Sequence, residues 1–362
     1  MTARFTDKKK ITILLLILFC SGLLVYEYNS TQRITQKFKS DQENEGVRST
    51  SMNRVTEKQI QNLTHTADEV MEFLMSMNIS LDSFLSKDYS LKEEKWLALM
   101  EARQRSRVQR MNFFCDSYHI RKRTTRELLA KQSYRHALYA NDQNKVIFSL
   151  VLKVASNHFK KLFKQIGGSK RLYIMPTESC KGRVENYFRI LFVRHPLARM
   201  LSAYKEKFVE HHIAHFVQIG RKIIGDQREG ATQLEIKQAT DVTFLEFIKH
   251  LTMGKKARIN THWDLIWIHN RVCEMRYDFI GKLETIEDDY RYMLYKMSRG
   301  RLHASDYNFM GAYRSYHGND EKLQEYYQQV PSSVLQLWYN IYRRDFELFG
   351  YNMDIINTTH PS

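Results

Sequence analysis

Cysteine, proline and glycine are all scarce in this chain of 362 residues, which holds 4 Cys, 4 Pro and 14 Gly. So few cysteines exclude a small disulfide-framed domain, and without any C-x-x-C pair we expect no structural metal site. The loop that follows the first internal apolar run has no glycine, so a G-x-x-x-x-G-K-[ST] phosphate loop is missing there. The sequence therefore argues against an ATP-driven phosphotransferase of that type.

Acidic residues are outnumbered by basic ones, 40 to 56, which gives a net charge of +16 at pH 7. Residues 1–28 hold four basic and two acidic groups, so +14 of this charge lies in the remainder. A basic surface suits a polyanionic partner. The 43% hydrophobic and 12% aromatic content is sufficient for a substantial core, which excludes a disordered chain.

The longest apolar run is at the N-terminus, over Ile11–Tyr26, directly after Lys8–Lys10. As a helix it spans about 24 Å, which suits a thin internal membrane. The lysines predict a cytosolic tail at 1–10, a signal-anchor helix at 11–27 and a luminal remainder, a type II topology. A cleaved signal peptide is the alternative, but no small-x-small site follows the run.

A luminal location excludes nucleic acid as a partner and leaves acidic glycans as the polyanions to expect. Sequons agree with this location, and we predict glycosylation at Asn62, Asn78 and Asn357. Residues 28–105 are polar with apolar residues at helical spacing, which predicts a helical stem that could pair into a homodimer. The basic stretch Arg103–Arg126 is either a polyanion-binding rim or a solvated helix face.

Apolar runs and helical patterns alternate in the body of the chain. The runs Val146–Leu152, Phe188–Val193 and Phe279–Leu283 read as buried strands, and helical patterns follow them. This alternation predicts an α/β fold with a parallel sheet flanked by helices. Ligands of such folds bind beyond the carboxyl ends of the strands, where Lys153 and Arg194 both lie.

The segment Arg194–Ser202, RHPLARMLS, has the residues of an anion site. A strand delivers Arg194, and a helix that begins at Pro196 carries Arg199 and Ser202. An arginine fork can bind phosphate bidentately, and the start of a helix offers unpaired N–H groups to the same anion. The alternative is an ordinary strand–helix junction with surface arginines.

Four motifs together resemble the Golgi carbohydrate sulfotransferases, nearest to the chondroitin and dermatan 4-O-sulfotransferase branch. Lys153–Lys161, KVASNHFKK, is similar to that family's 5′-phosphosulfate loop, P-K-V-A-C-T-N-W-K-R. RHPLARMLSAYKEKF is similar to its 3′-phosphate segment, R-[DH]-P-x-x-R-x-x-S-A-Y-x-x-K-F. His262-Trp263 with Cys273–Thr285, and then Phe346–Tyr351, match its later motifs in the same order.

The resemblance implies a P-loop-NTPase-like sulfotransferase fold over 106–351, a tail at 352–362 and a Golgi membrane location. It also implies transfer of a sulfuryl group from 3′-phosphoadenosine 5′-phosphosulfate (PAPS), without a metal, to a glycan hydroxyl, most naturally a chondroitin or dermatan type glycosaminoglycan. The residues assigned to this donor are Lys153, Val154, Ala155, Ser156, Asn157, His158, Phe159, Lys160, Arg194, Arg199 and Ser202.

Two residues are assigned to the chemistry itself. Lys153 would stabilise the charge that develops on the leaving phosphate. The acceptor hydroxyl needs a base, for which His158, His195 and His262 are candidates, and we select His262. A packed structural role for His262 is the alternative, and His195 could instead orient Arg194.

The chain departs from the family pattern at three places. Leu152 replaces a Pro, Ser156–Phe159 replaces Cys-Thr-Asn-Trp, and Asn270 replaces the first Cys of a C-x-x-C pair. Cys115, Cys180 and Cys273 therefore allow at most one internal bridge, whose pairing stays open. These departures keep a second hypothesis open, a catalytically weak luminal relative that only binds nucleotide or glycosaminoglycan.

Overall fold

A computed structural model of the chain describes residues 93–120, 123–130, 137–168, 170–172, 175–210, 214–307 and 320–356, all within one compact unit. The predicted cytosolic tail, the signal anchor, the stem as far as residue 92 and the three glycosylation sites lie outside these ranges. Within them, no helix is both long enough and apolar enough to cross a membrane.

A mixed five-stranded sheet forms the centre of the fold, with the order β3-β1-β2-β4-β5. The strands are β1 (Leu138–Asn141), β2 (Val146–Ser149), β3 (Lys170–Arg171), β4 (Phe188–Val193) and β5 (Phe279–Lys282). Strands β2, β4 and β5 are parallel, as predicted, whereas β1 pairs antiparallel with β2 and β3. The predicted parallel sheet is therefore confirmed for these three strands, and β1 and β3 extend it with antiparallel pairing at one edge.

The hairpin between β1 and β2 is fastened by the buried side chain of Asn141. Its Oδ1 accepts a hydrogen bond from the Asn144 backbone N–H at 2.8 Å. Its Nδ2 donates to the carbonyls of Ile166 at 3.1 Å and Gly168 at 2.8 Å. One amide thus joins the turn of the hairpin to the end of the helix that follows the first loop of the site.

Helices surround the sheet and extend beyond it. They are α1 (Glu93–Ser117), α2 (Thr125–Leu129), α3 (Ser156–Gln165), α4 (Thr177–Asn186), α5 (Pro196–Tyr204), α6 (Ala214–Gln227), α7 (Gln233–Gln238), α8 (Phe244–Thr252), α9 (Ile266–His269), α10 (Val272–Met275), α11 (Ile286–Ser298), α12 (Asp320–Gln328) and α13 (Ser332–Phe349). A π-helix, Lys205–Glu210, continues directly from α5. Short 3₁₀ turns are present at Lys255–Arg258, Leu283–Thr285, Ala304–Asp306 and Asp354–Ile356.

Two hydrophobic cores hold these elements together. In the first, rings from β2, β4 and α3 pack on the sheet, with Phe159 4.8 Å from Phe148 and 4.4 Å from Phe192 between ring centroids. Gly281 on β5 gives Phe192 its space, because a Cβ there would lie 2.2 Å from that ring. The second core gathers α5, α6, α8 and α13 around Trp263. Since α5 follows β4 without a break, the two cores are joined at the site.

Helix α1 packs into the first core, so it belongs to the packed domain and not to the predicted stem at 28–105. Trp96 and Met100 are buried, so the packed domain begins no later than Glu93 and a stem boundary at 105 would cut this helix. Arg107 donates to the carboxylate of Asp289 at 2.7 Å and to the carbonyl of Ile280 at 2.9 Å. The basic stretch is therefore neither a free rim nor only a solvated face at this position, because this arginine fastens β5 to α11.

A disulfide links Cys115 of α1 to Cys273 of α10. Cys180 is a reduced, buried cysteine whose Sγ lies 3.3 Å from the carbonyl oxygen of Leu172. Of the three cysteines that follow the predicted anchor, Cys115 and Cys273 are thus bridged and Cys180 is not part of a disulfide. The bridge fixes α1 against the segment that leads into β5.

Candidate active site

A cavity of about 390 Å³ opens at the carboxyl ends of the three parallel strands. Each strand contributes a residue from the chain that follows it: Lys153 after β2, Arg194 after β4 and Leu283 after β5. The structure gathers these sequence-predicted residues around the cavity: Lys153, Ala155, Ser156, Asn157, His158, Lys160, Arg194, Ser202 and His262. Segments up to 130 residues apart in the sequence, from Lys153 to Leu283, thus meet at the predicted edge of the sheet.

The loop between β2 and α3 builds an anion site without glycine. Lys153 and Ala155 both have left-handed backbone conformations, with φ of 70° and 48°. Such conformations cost a non-glycine residue roughly 1–2 kcal/mol each, and they curl successive N–H groups into a concave nest. The amides of His158 and Phe159 donate to the carbonyl of Ala155, which leaves those of Ser156 and Asn157 as the helix-start donors.

Lys153 is buried in the cavity wall, with a side chain only 5% exposed. Its ammonium group contacts the carboxylate of Glu206. Burial, followed by the nearby charges of Lys207 and Arg194, lowers the pKa of Lys153 to about 7. An anion in the cavity would favour the charged form, so the protonation of this lysine is coupled to the binding of an anionic ligand.

Arg194 and the start of α5 form the other end of the site. The Arg194 guanidinium donates to the carbonyl of Lys153 at 3.3 Å, so the residues that follow β2 and β4 are in direct contact. Pro196 occupies the first helical position, and Nδ1 of His195 caps the helix by accepting the Leu197 N–H at 3.3 Å. Ser202, two turns on, lines the cavity.

His195 is a structural residue, which resolves one of the alternatives that the sequence left open. Its backbone N–H donates to Glu284 at 2.7 Å. Because Nδ1 acts as an acceptor, Nε2 carries the proton and donates to the carbonyl of Asn352 at 2.9 Å. With both ring nitrogens engaged and the ring buried, His195 holds α5 in place rather than facing a ligand.

Arg199 requires a correction, because its side chain faces the interior and not the cavity. It is 2% exposed, and its guanidinium donates to three backbone carbonyls: Leu152 at 3.2 Å, Asp264 at 2.8 Å and Thr261 at 3.3 Å. Leu152 precedes Lys153, and Thr261 precedes His262. The motif spacing suggested a donor ligand, but the arginine instead fixes the backbones of two site residues relative to each other.

Val154 and Phe159 also point away from the cavity, into the first core, where they are 1% and 0% exposed. The Phe159 amide already donates to Ala155, so neither its side chain nor its N–H is directed at a ligand. Their assignment to the donor followed from their place in the loop motif. The structure instead makes them the anchors that hold the loop on the sheet.

His262 lies on a tight turn between α8 and α9, whose Asn260 side chain accepts the His262 backbone N–H at 3.0 Å. Burial, followed by the charges of Lys207, Lys153 and Arg199, lowers the pKa of His262 to about 3, so the ring is neutral. Its Nδ1 is buried and meets no hydrogen-bond partner among the described residues. The neutral ring lines the cavity as an acceptor or a packing surface.

Glu206 lines the same cavity and was not selected from the sequence. It lies on the π-helix, where its carboxylate contacts Lys153 and accepts from Lys207 Nζ at 2.6 Å. A π-helix is rare and often marks a functional site, but no sequence pattern announces one. The only available signal was the lysine-flanked Glu in KEKF, four residues after Ser202.

Asn270 occupies the position at which the family pattern has its first cysteine, and its side chain has a structural role there. It is 1% exposed, and its Nδ2 donates to Ser149 Oγ at 2.8 Å and to the Leu150 carbonyl at 3.2 Å. Its own carbonyl accepts the hydroxyl of Tyr277 at 2.7 Å. The amide thus ties the turn to the end of β2, while Cys273 pairs with Cys115 instead.

Two adjacent cations, helix-start amides and a nest at the end of a parallel sheet define a site for a multiply charged anion. Since a neutral imidazole and a carboxylate share this cavity, the arrangement suits transfer of an anionic group to a hydroxyl. Comparison with known proteins identifies which family of group-transfer enzymes the chain resembles. The family model described as "Sulfotransferase family" matches residues 135–352.

Several named proteins are similar to the chain. Carbohydrate sulfotransferase 14 of Danio rerio is 30% identical over 271 residues, which cover 66% of this chain and 72% of that protein. Carbohydrate sulfotransferase 11 of Mus musculus is 29% identical over 254 residues, which cover 63% of this chain and 70% of that protein. Carbohydrate sulfotransferase 9 of Homo sapiens is 25% identical over 354 residues, which cover 91% of this chain and 77% of that protein. No solved structure gives a significant match.

The chain belongs to the sulfotransferase family, as a divergent member, and it is a sulfotransferase enzyme. The family recognised from the four sequence motifs is therefore confirmed.

Proposed function

We propose that this protein transfers a sulfuryl group from PAPS to a hydroxyl of an acidic glycan, of the chondroitin or dermatan type. The observation that carries the proposal is the direct contact between the two ends of the site. Arg194 donates to the Lys153 carbonyl at 3.3 Å, and both side chains line one cavity with Ser202 and the start of α3. Such a cavity suits a ligand with anionic groups at two ends, as PAPS has.

The donor would be divided between the two halves of the cavity. Arg194 and Ser202 would bind the 3′-phosphate, the end that does not react. Lys153 and the amides of Ser156 and Asn157 would bind the 5′-phosphosulfate. There the Lys153 ammonium would stabilise the negative charge that grows on the leaving phosphate oxygen, more in the transition state than before it.

The Asn157 position fits this division despite its departure from the family's threonine. Asn157 lines the cavity in the first turn of α3, where its side-chain amide can donate as a hydroxyl would. The retained Lys153, Arg194 and Ser202 favour an active enzyme over the alternative, a relative that only binds nucleotide or glycosaminoglycan.

The acceptor and the location are inferred from the relatives and from charge. The named relatives are carbohydrate sulfotransferases, which supports a glycan acceptor. The net charge of +16 suits an acidic glycan, of which chondroitin and dermatan are the class that the sequence motifs favour. We place the enzyme in the Golgi membrane through Ile11–Tyr26, with the catalytic domain in the lumen.

Sulfate transfer by the purified full chain tests the proposal. Radiolabelled PAPS is offered with chondroitin, dermatan or heparan acceptors, and disaccharide analysis of the labelled glycan identifies the sugar and the hydroxyl. We expect label in chondroitin or dermatan. Retention on immobilised 3′,5′-ADP is measured in parallel for the wild type and for Arg194→Ala, which should be released at lower nucleotide concentration.

The outcomes separate the hypotheses. Retention without labelling of any acceptor would favour the binding-only relative. Equal retention of wild type and Arg194→Ala would show that Arg194 does not bind the 3′-phosphate. Labelling of heparan alone would overturn the proposed acceptor class while leaving the sulfotransferase activity intact.

A further inference from the structure

Glu206 is the one carboxylate that lines the donor cavity, among the residues the structure describes. Its side chain is 31% exposed, so it can meet a ligand. It lies one turn beyond Ser202, where the chain widens from α5 into the π-helix Lys205–Glu210. Wider turns of this kind are frequently retained at functional sites, where they redirect a side chain.

Two lysines hold this carboxylate, and they differ in what else they contact. Lys207 is 7% exposed, lies 2.6 Å from Glu206 and has its ammonium 4.7 Å from the centre of the Phe216 ring. Lys207 is therefore a fixed partner. Lys153, the other partner, heads the anion-binding loop, so any anion that enters the cavity competes with Glu206 for it.

His262, which the sequence suggests as the base, is poorly suited to take a proton. An imidazolium has two N–H donors, and the buried Nδ1 has no acceptor among the described residues. Burial and the neighbouring cations, Lys207 first, also oppose a positive charge on the ring, which lowers its pKa to about 3. A carboxylate meets neither obstacle, because protonation removes a charge and one oxygen can stay bound to Lys207.

We infer that Glu206 is a catalytic residue, the group that accepts the proton of the acceptor hydroxyl, and that the donor frees it for this task by drawing Lys153 away. This inference rests on the proposed sulfuryl transfer. The acceptor oxygen forms a bond to sulfur as the bond from sulfur to the bridging phosphate oxygen breaks, and the hydroxyl proton passes to Glu206. The products are the sulfate ester, 3′,5′-ADP and a protonated Glu206, which returns its proton to water.

The exchange of partners makes the base available only when the donor is present. With the cavity empty, Glu206 contacts both Lys153 and Lys207, and two positive charges beside a carboxylate favour its ionised form. Once a phosphosulfate takes Lys153, the carboxylate keeps one lysine and lies beside new negative charge, both of which raise its proton affinity. A base that strengthens on donor binding is matched to the step in which it acts.

The test compares Glu206→Gln with Glu210→Gln, a matched control on the same π-helix whose side chain is exposed and does not line the cavity. We expect Glu206→Gln to lower kcat by about 100-fold or more, the usual contribution of a general base. The donor KM should not rise, because Lys153 loses a competitor. Glu210→Gln should retain turnover, and unchanged 3′,5′-ADP binding and melting temperature show that both variants are folded.

The dependence of kcat on pH separates Glu206 from the other charged and titratable groups around it. Lys153, Lys160, Arg194, His158 and His262 line the same cavity, Lys207 contacts Glu206, and the negative charge of Glu210 acts on Lys153. We expect an acidic limb that persists in His262→Gln and is lost from the residual activity of Glu206→Gln. Near-normal turnover of Glu206→Gln, or an acidic limb lost only in His262→Gln, would overturn the inference. Failure of the wild-type enzyme to label any acceptor would instead refute the proposed function on which the inference rests.

Discussion

Replacing Arg199 by lysine tests whether this residue positions the backbone of the site or binds the sulfuryl donor directly. In the native chain the guanidinium donates to the carbonyls of Leu152, Thr261 and Asp264 in an environment that is 2% exposed. A lysine keeps the positive charge but, as a single ammonium on a longer flexible stem, cannot span all three carbonyls in one plane. At least one buried carbonyl should lose its partner.

The structural cost can be worked from these contacts. A buried acceptor left without a hydrogen bond costs about 1–3 kcal/mol, so one or two such losses lower the free energy of unfolding by roughly 1–6 kcal/mol. For a domain of this size, 1 kcal/mol corresponds to a shift in Tm of about 2–4 °C. Arg199→Lys should therefore melt several degrees below the wild type, as measured by calorimetry or by circular dichroism.

The catalytic effect follows from where those carbonyls lie. Leu152 and Thr261 precede Lys153 and His262, so loss of the bridge lets two cavity residues shift relative to each other. A displacement of about 1 Å can cost about 100-fold in rate, so we expect kcat to fall by that order while the donor KM changes little. Steady-state kinetics with varied PAPS at saturating acceptor separate these two quantities.

Arg194→Lys is the matched control, because Arg194 lines the cavity itself and is less buried than Arg199. It should raise the donor KM with a smaller change in Tm. The reasoning would be refuted if Arg199→Lys kept the wild-type Tm and raised the donor KM, since that is how a direct donor ligand behaves.

Two further predictions concern pH and the disulfide. Because burial and neighbouring cations lower the pKa of Lys153 to about 7, and an anion binds its protonated form, the Kd for 3′,5′-ADP should rise as pH increases from 6 to 9. Calorimetric titration checks this; Lys153→Arg, which stays charged, should show a flatter profile, and a flat wild-type profile would contradict it. Paired replacement of Cys115 and Cys273 by serine should lower the free energy of unfolding by about 2–4 kcal/mol, measured by denaturant unfolding, while Cys180→Ser removes no bridge; equal stability of the paired variant would contradict it.

The sequence predicted the parts of the fold that depend on long apolar runs. Strands β2, β4 and β5 and helices α3 and α5 begin close to the expected residues, because each run is bounded by charged or helix-starting residues. Strands β1 and β3 were missed because neither lies in a long apolar run: β1 has the sequence LYAN, and β3 consists of two exposed basic residues. Their antiparallel pairing is decided by the hairpin and by Asn141, which are tertiary features.

The sequence predicted correctly those site residues that lie directly after a strand. It failed for residues whose role depends on the direction in which the side chain points. Lys153 and Arg194 extend from strands that the sequence identified. Arg199 shares a motif with Arg194 but turns inward, and only the positions of three distant carbonyls reveal this. Glu206 was overlooked because a π-helix, which has no sequence signature, brings it into the cavity.

The rate of sulfuryl transfer by Lys153→Ala at saturating PAPS tests the central claim most directly. Lys153 lies at the end of β2, contacts Glu206 and lines the cavity beside Arg194. Removal of a preorganised charge from a developing oxyanion costs about 10²–10³ in kcat, so the account predicts that turnover is nearly abolished while 3′,5′-ADP still binds through the Arg194 end. Turnover close to that of the wild type would contradict the account, because it would remove Lys153 from the chemistry.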